Sequence, residues 1–295
     1  MTSLPPSADQ AAAELPKDPV FELALLSDVG TNRENNEDSC GHYVESPESV
    51  IFAVADGIGG YEGGEVASAM AIAVTIESYR ESPAAWGPSK RIHRAVQRAN
   101  IEIHNRALTV PELRRMGTTL TAVVVDAGVI HAAHVGDCRL YLIRRGKIRQ
   151  ITKDHTMVQE RVRMGLMSAD RARYHPERSA LTRSIGHELI VSVDRITLPL
   201  EQRDRLIICS DGLHGVLHDR DLEQMVRDRG AEEACKHLVE VANQRGTADN
   251  LTVGVFTMLG ATAAVAVPRS WWQRIGGFFR RTNMLAALTE VSHHV

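Results

Sequence analysis

The order of strand-like and helix-like segments is the feature of this 295-residue sequence that most restricts its fold. Runs rich in Val, Ile and Leu predict strands over 21–27, 50–56, 118–126, 129–137, 138–144, 204–211 and 251–259. Helical periodicity covers 64–80, 89–108, 155–164, 219–229 and 232–244. Two long helices in succession, then a strand meander, then two more helices do not follow the alternation of βαβ units. The pattern predicts an α+β fold of antiparallel sheets flanked by helices, with hairpin turns at 126–128 and 144–147.

Composition and charge exclude several classes of protein. With 43% hydrophobic and 24% charged residues, the chain has the composition of a soluble globular domain. A net charge of −3 argues against a nucleic-acid partner, because a polyanion normally requires a basic face. The four cysteines show no CxxC or Cys/His spacing, so they do not form the usual zinc motifs, and we expect reduced thiols in a cytoplasmic protein.

The two ends of the chain differ from the part between them. Residues 1–20 have no basic start followed by an apolar stretch, so we expect a flexible leader rather than a signal peptide or a membrane span. Residues 260–295 begin with an alanine-rich linker and continue into WWQRIGGFFRR, which is aromatic and basic. This tail is too short and too charged to span a membrane. It suits peripheral membrane contact, a protein partner, or docking on its own domain.

A carboxylate ends the second strand-like run. The run VIFAVAD stops at Asp56, and the next eight residues, GIGGYEGG, include five glycines. This arrangement places one carboxylate and bare backbone at the rim of a sheet, where a cation or a phosphate could bind. An Asp at this point could also simply cap the following helix.

A second acidic cluster follows the first strand. The stretch SDVGTNRENNEDS, residues 27–39, brings Arg33, Glu37 and Asp38 into a few turn-like positions. Adjacent acids cannot both point inward from a regular strand, so a loop that faces a cation would use them more naturally. A solvated acidic turn explains the same residues.

Three further aspartates stand at the ends of apolar runs. Asp137 interrupts two such runs, Asp211 ends one before a glycine, and Asp249 precedes the last one. Taken singly, a hairpin turn explains Asp137 and an Asx turn explains Asp249 as well as a ligand role does. Together with the two earlier clusters they would repel one another unless something positive lay among them. Oxygen ligands without Cys or His indicate Mg²⁺ or Mn²⁺, and the cluster is large enough for more than one ion.

Seven motifs carry a family resemblance. The chain resembles the metal-dependent type 2C protein serine/threonine phosphatases (PPM family) in their bacterial form through, in order, SDVGTNRENNED, VADGIGGYEGGEVAS, GTTLTAVVV, HVGDCRLYLIRRGKIRQITKDHT, ALTRSIG, LIICSDGLHGVL and TADNLTV. The resemblance runs from about Phe21 to Leu259 and implies one catalytic domain over 21–259. It implies a four-layer α-β-β-α sandwich of two antiparallel sheets flanked by helix pairs, with a binuclear Mn²⁺ or Mg²⁺ centre at one end.

The resemblance also implies roles for the acidic residues. Asp56 would bridge the two ions, and the carbonyl oxygen of Gly57 would ligate one of them. Asp211 and Asp249 would hold the other ion.

Further roles follow for the surrounding residues. Glu37 and Asp38 would complete the ligand set directly or through bound waters, and both arrangements stay open. Asp137, sharing Asp211, would correspond to a third, weaker ion position. Arg33 would bind the phosphoryl group, because its planar fork matches phosphate oxygens. The implied catalytic residues are thus Arg33 and Asp56.

The implied activity is hydrolysis of phosphoserine and phosphothreonine in proteins by a metal-activated water, opposing a bacterial Ser/Thr kinase. The alternative is a non-catalytic phosphoprotein-binding module on the same fold. The sequence departs from the family at two points. Ile58 and Tyr61 stand in the loop where members often carry a histidine that is a candidate general acid, and Cys138 replaces an expected serine.

Overall fold

The computed structural model describes residues 20–59 and 63–260. Apart from Val20 and Gly260, the predicted leader and the predicted C-terminal tail lie outside the described residues, as does Tyr61. No helix in the described part of the chain combines the length and the apolar character needed to cross a bilayer.

Two antiparallel sheets form the centre of the domain. The five-stranded sheet has the order β1-β11-β10-β7-β8, and the six-stranded sheet has the order β2-β3-β5-β6-β9 with β4 paired to β3. The strands are β1 (Phe21–Asp28), β2 (Asp38–Ser46), β3 (Ser49–Ile58), β4 (Gly117–Thr118), β5 (Leu120–Asp126), β6 (Val129–Val135), β7 (Arg139–Arg144), β8 (Lys147–Gln150), β9 (Asp194–Pro199), β10 (Arg205–Cys209) and β11 (Leu251–Met258).

Helices cover the outer face of each sheet. The long helices α1 and α2 pack on the six-stranded sheet, and α6 and α7 pack on the five-stranded sheet. The helices are α1 (Gly63–Glu81), α2 (Pro88–Thr109), α3 (Met157–Arg163), α4 (Ala169–Arg173), α5 (Asp211–His214), α6 (Asp219–Val226) and α7 (Ala231–Gln244), with a short 3₁₀ helix at Pro111–Leu113. The expected four-layer α-β-β-α sandwich is therefore confirmed.

The two-sided burial of β3 explains its unbroken apolar sequence. Ile51, Ala53 and Ala55 face α1 and α2. Val50 and Phe52 point the other way, into the core between the sheets. Because side chains alternate along a strand, a strand that is covered on both faces must be apolar at every position. The run ends at Asp56, where the cover ends.

Both predicted hairpins are confirmed, whereas several short elements were not predicted. Ala127 and Gly128 join β5 to β6 with φ of 45° and 76°, and Arg145 and Gly146 join β7 to β8 with φ of 53° and 70°. Positive φ at both central positions is the turn geometry that matches strand twist. The prediction missed β2, β8, β9, α4 and α5, because these segments are short or carry many polar residues.

Candidate metal centre

Asp56 lies two residues before the end of β3 and is fixed through its backbone. Its N–H donates to Thr119 Oγ1 at 3.0 Å, and its carbonyl oxygen accepts from the Thr119 N–H at 2.8 Å and from Thr118 Oγ1 at 2.8 Å. Burial raises the pKa of the Asp56 carboxyl group well above its usual value, and the charges of neighbouring aspartates raise it further. These neighbours are, from the largest effect, Asp38, Asp211, Asp137 and Asp249.

Asp38 is the direct cross-strand partner of Asp56, because β2 pairs with β3 in that register. Its carboxylate accepts a hydrogen bond from Ser210 Oγ at 2.6 Å, and the side chain is buried. Burial raises the pKa of Asp38 to about 7, against the lowering effect of the Ser210 hydrogen bond. We expected Asp38 in a loop; instead it opens a strand, and the pairing brings it opposite Asp56.

Asp137 and Asp211 approach the same end of the sandwich from the other sheet. Asp137 precedes β7 and is buried, and Asp211 begins α5 directly after β10. Burial is the largest cause of a raised pKa for both, and the charge of Asp211 is the next largest for Asp137. Ser179 Oγ donates to Asp211 Oδ2 at 3.3 Å, while His214 Nε2 donates to the Asp137 carbonyl oxygen at 3.1 Å.

Glu37 lies against the glycine-rich loop after β3. Its carbonyl oxygen accepts from the Gly57 N–H at 3.1 Å, and a Cβ at Gly64 would lie 2.8 Å from the Glu37 carboxyl group. A Cβ at Gly57 would overlap the carbonyl oxygen of Gly64. Glycine is therefore required at both positions for the loop and the Glu37 side chain to pack together. Burial raises the pKa of Glu37, and Arg33 opposes this effect.

Arg33 and Asp249 form an ion pair at the surface of the centre. Arg33 Nη2 lies 2.8 Å from Asp249 Oδ2, and the two side chains are 48% and 40% exposed. Asn250 holds both segments in place. Its side-chain amide donates to the carbonyl oxygens of Val29 and Asn35 at 2.8 Å each, and its Oδ1 accepts from the Glu37 N–H at 2.9 Å.

The donor set suits hard divalent cations. Four aspartates of the centre form no ion pair within the described residues: Asp38, Asp56, Asp137 and Asp211. Burial raises the pKa of each, and the charges of other aspartates raise it further. The described residues contain no group of three or more His, Cys, Asp or Glu that encloses an ion by itself. Mg²⁺ commonly uses one or two carboxylates and keeps several waters, so an open arrangement of this kind fits it.

Sequence reasoning missed the hydroxyl and amide groups that position the carboxylates. Ser210, Thr119 and Asn250 each bond a backbone or side-chain group of an acidic residue that is more than 60 positions away. Ser210 and Asn250 stand next to Asp211 and Asp249, which is a signal in the sequence, whereas Thr119 has no acidic neighbour. Of the predicted residues, Asp38 and Asp137 are buried, Glu37, Asp56, Gly57 and Asp211 are half-buried, and Arg33 and Asp249 pair at the surface.

Comparison with known proteins identifies the family. The model of the protein phosphatase 2C family matches residues 30–254. The serine/threonine phosphatase stp of Listeria innocua is 34% identical over 231 residues, which cover 77% of this chain and 92% of that protein. The crystal structure of the Mycobacterium tuberculosis serine/threonine phosphatase PstP/Ppp superposes with a TM-score of 0.75 at 33% identity, covering 81% of this chain and 99% of that one.

A further solved structure contains metal. The catalytic domain of PstP in complex with two manganese ions superposes with a TM-score of 0.73 at 32% identity, and covers 81% of this chain and 99% of that chain. The geometry of the strand-end aspartates, the four-layer sandwich and these similarities agree. The chain belongs to the protein phosphatase 2C family.

Proposed function

We propose that this protein hydrolyses phosphoserine and phosphothreonine in other proteins with the help of bound divalent metal ions. The observation that carries the proposal is the convergence of buried aspartates from both sheets with no cationic partner in an ion pair among the described residues. Buried carboxylates that repel one another lower the folding stability of a protein without bound cations. A bound cation compensates this cost, so such a cluster is expected in a metal-binding protein. The similar proteins named above are serine/threonine phosphatases.

We propose that the centre holds two Mn²⁺ or Mg²⁺ ions. Asp56 and the Gly57 carbonyl oxygen would contact the ions from β3, and Asp211 and Asp249 would contact them from the other sheet. Bound ions of this kind supply an activated water and neutralise charge on the phosphoryl oxygens.

Two further acidic residues and a third ion position complete this proposal. Glu37 and Asp38 would bind the ions directly or through water, and Asp137 with Asp211 would form a weaker third position. The oxygen-only donor set supports Mg²⁺ or Mn²⁺ over Zn²⁺.

Arg33 is the proposed phosphoryl-binding residue. Its side chain is 48% exposed and lies beside Asp249 at the surface of the centre. Nη2 and Nε bond Asp249 and the Ala248 carbonyl oxygen, and Nη1 has no hydrogen-bond partner among the described residues. This nitrogen can therefore donate to a phosphoryl oxygen without breaking the pair with Asp249. A guanidinium group in this position orients the phosphoryl group and stabilises its charge in the transition state.

The partners follow from the activity. Phosphorylated proteins are the substrates, and a Ser/Thr kinase that phosphorylates them is the expected counterpart; nucleic acid is not an expected partner. A cytoplasmic location, with membrane or protein contact through residues 260–295, stays a proposal from the sequence.

A direct assay distinguishes the phosphatase from a non-catalytic binding module. A phosphothreonine peptide and p-nitrophenyl phosphate are incubated with the full chain in Mn²⁺, in Mg²⁺ and in EDTA. We expect phosphate release in either metal and none in EDTA. Binding of the phosphopeptide without metal-dependent release would overturn the proposal and favour the binding module.

A further inference from the structure

Thr119 connects the ends of two strands that carry acidic residues of the centre. It is 1% exposed and lies between β4 and β5. Its N–H and Oγ1 bond the carbonyl oxygen and the N–H of Asp56, at 2.8 and 3.0 Å. Its side chain also packs directly on Gly136, since a Cβ at Gly136 would overlap the Thr119 side chain. Gly136 precedes Asp137, so one threonine contacts the backbone beside both aspartates.

Cys138 completes this connection from the other side of Asp137. Its Sγ lies 3.1 Å from Thr119 Oγ1, and its carbonyl oxygen accepts from Thr121 Oγ1 at 3.0 Å. Because Thr119 Oγ1 already accepts the Asp56 N–H, its own hydrogen can point at the sulfur, or a second lone pair can accept the thiol hydrogen. Either arrangement gives a continuous chain from the Asp56 amide through Thr119 to the residue after Asp137.

We propose that Thr119 and Cys138 are positioning residues that fix Asp56 relative to Asp137. They thereby couple the two main metal-ion positions to the third, weaker one. This inference rests on the metal centre proposed above. Neither residue contacts an ion or a phosphoryl group in the proposal; both act through the backbone of the two aspartates. Groups that orient metal ligands from outside the ligand set typically change metal affinity 10- to 100-fold when removed.

The two residues make different predictions. Thr119→Val keeps the volume and removes the acceptor of the Asp56 N–H, so it should disturb Asp56 itself. Cys138→Ala leaves the Asp56–Thr119 bonds intact and removes only the contact with Thr119 Oγ1, so its effect should fall mainly on the weaker ion position. Thr119→Ser retains the hydroxyl group and Cys138→Ser replaces the thiol with one, so both variants keep a hydrogen-bonding group in the same place and should bind like the wild type.

The experiment titrates Mn²⁺ into the metal-free full chain by isothermal calorimetry, without substrate. Relative to the wild type, we expect about 10-fold weaker binding of the main ions in Thr119→Val and loss of the weakest binding step in Cys138→Ala. Cys235→Ala is the matched control. This thiol is also buried, but it contacts the Ala24 carbonyl oxygen at 3.5 Å under α7, away from the centre, and its removal should leave the titration unchanged.

Several outcomes decide the matter. If Thr119→Val and Cys138→Ala lower the melting temperature and titrate like the wild type, the two residues only support the fold, and the inference is wrong. If circular dichroism shows that Thr119→Val does not fold, the test depends on Cys138→Ala and Cys138→Ser, which change only one or a few atoms. Loss of the weakest binding step in Cys138→Ala but not in Cys138→Ser would then support the inference, and its retention in both would contradict it. A wild-type chain that binds no Mn²⁺ would overturn the proposed metal centre and this inference with it.

Discussion

The protein buries aspartates in two different ways. Asp154 and Asp204 are each held by an arginine, with Arg139 Nη2 and Arg144 Nη2 at 2.6 Å from their carboxylate oxygens. At the end of the sandwich, Asp38, Asp56, Asp137 and Asp211 have no such partner among the described residues, whereas the more exposed Asp249 pairs with Arg33. For Asp154, burial alone would raise the pKa, but Arg139 outweighs it and the pKa is lowered. For Asp38 and Asp56, burial raises the pKa and the charges of other aspartates raise it further.

The difference separates aspartates that an arginine neutralises from the aspartates that we propose as metal ligands. A buried carboxylate with a bidentate arginine is neutralised by the chain itself. A buried carboxylate beside other carboxylates carries an uncompensated cost in the metal-free protein, which a bound divalent ion removes. Mutations, metal and pH should therefore act in opposite directions on the two groups.

The largest expected effect is on catalysis. Asp211→Asn should reduce kcat/KM for a phosphothreonine peptide in Mn²⁺ by at least about 1000-fold, because an ion supplies several kcal/mol of transition-state stabilisation and each 1.36 kcal/mol corresponds to tenfold in rate. Asp228→Asn, at an exposed position after α6, is the control and should leave kcat/KM unchanged. Near-normal turnover by Asp211→Asn would place the ions elsewhere.

The second effect is on stability in EDTA at pH 7.5. Asp204→Asn should lower the free energy of unfolding by about 3 kcal/mol, because it leaves Arg144 without its buried partner. Asp56→Asn should instead raise it, because one of several mutually repelling charges is removed. Urea unfolding followed by circular dichroism measures both. The comparison fails if the two variants shift the midpoint in the same direction.

The third effect concerns metal and pH together. The pKa of Asp38 is about 7 in the folded protein and about 4 in the unfolded chain. In EDTA, ionisation of this buried carboxyl group therefore imposes a penalty on folding stability, which is absent below pH 4 and grows as pH rises towards 7. In the proposed metal centre, bound Mn²⁺ would remove this penalty. At one fixed Mn²⁺ concentration, 100 times the Kd at pH 7.5, the stabilisation at pH 7.5 is about 2.7 kcal/mol. The difference in Tm between Mn²⁺ and EDTA should be larger at pH 7.5 than at pH 5.5; an equal difference at both would exclude linkage to these carboxylates.

The smallest effect comes from a buried group that neither an arginine nor an ion holds. His134 is buried, with Nδ1 2.8 Å from Thr121 Oγ1 and Nε2 3.0 Å from the Lys153 carbonyl oxygen, and burial lowers its pKa to about 4. Its stabilisation is fully present above pH 6.5 and is lost as pH falls towards 4.

When the pH falls from 7.5 to 5, His134 should lower the free energy of unfolding by about 2 kcal/mol. The unfolded histidine, with its ordinary pKa of about 6.5, is then almost fully protonated, whereas the folded one, with a pKa of about 4, stays mostly neutral. His134→Gln keeps a donor for the Lys153 carbonyl oxygen and does not titrate. Its unfolding midpoint should therefore depend less on pH over this range than that of the wild type, when both are measured in EDTA. Identical pH dependence would show that His134 does not contribute.

Much of the fold was predictable because its signals are local. Two-sided burial makes β3 apolar throughout, and the paired positive φ angles of Ala127 and Gly128 follow from a short polar turn between two apolar runs. The strand β2 was not predictable, because its sequence DSCGHYVES lacks an apolar run. It forms a strand because it pairs with β3, and this contact is not visible in the local sequence. Asp38 was consequently expected in a loop.

The sequence by itself determined that aspartates stand at the ends of apolar strands, because each apolar run and its aspartate are neighbours in the chain. Only the tertiary structure decided which aspartates receive an arginine and which receive a hydroxyl group. Arg33 and Asp249 are 216 positions apart, and Ser210 and Asp38 are 172 apart. Such partners are chosen by strand order and register across two sheets, and a one-dimensional pattern does not contain these distances.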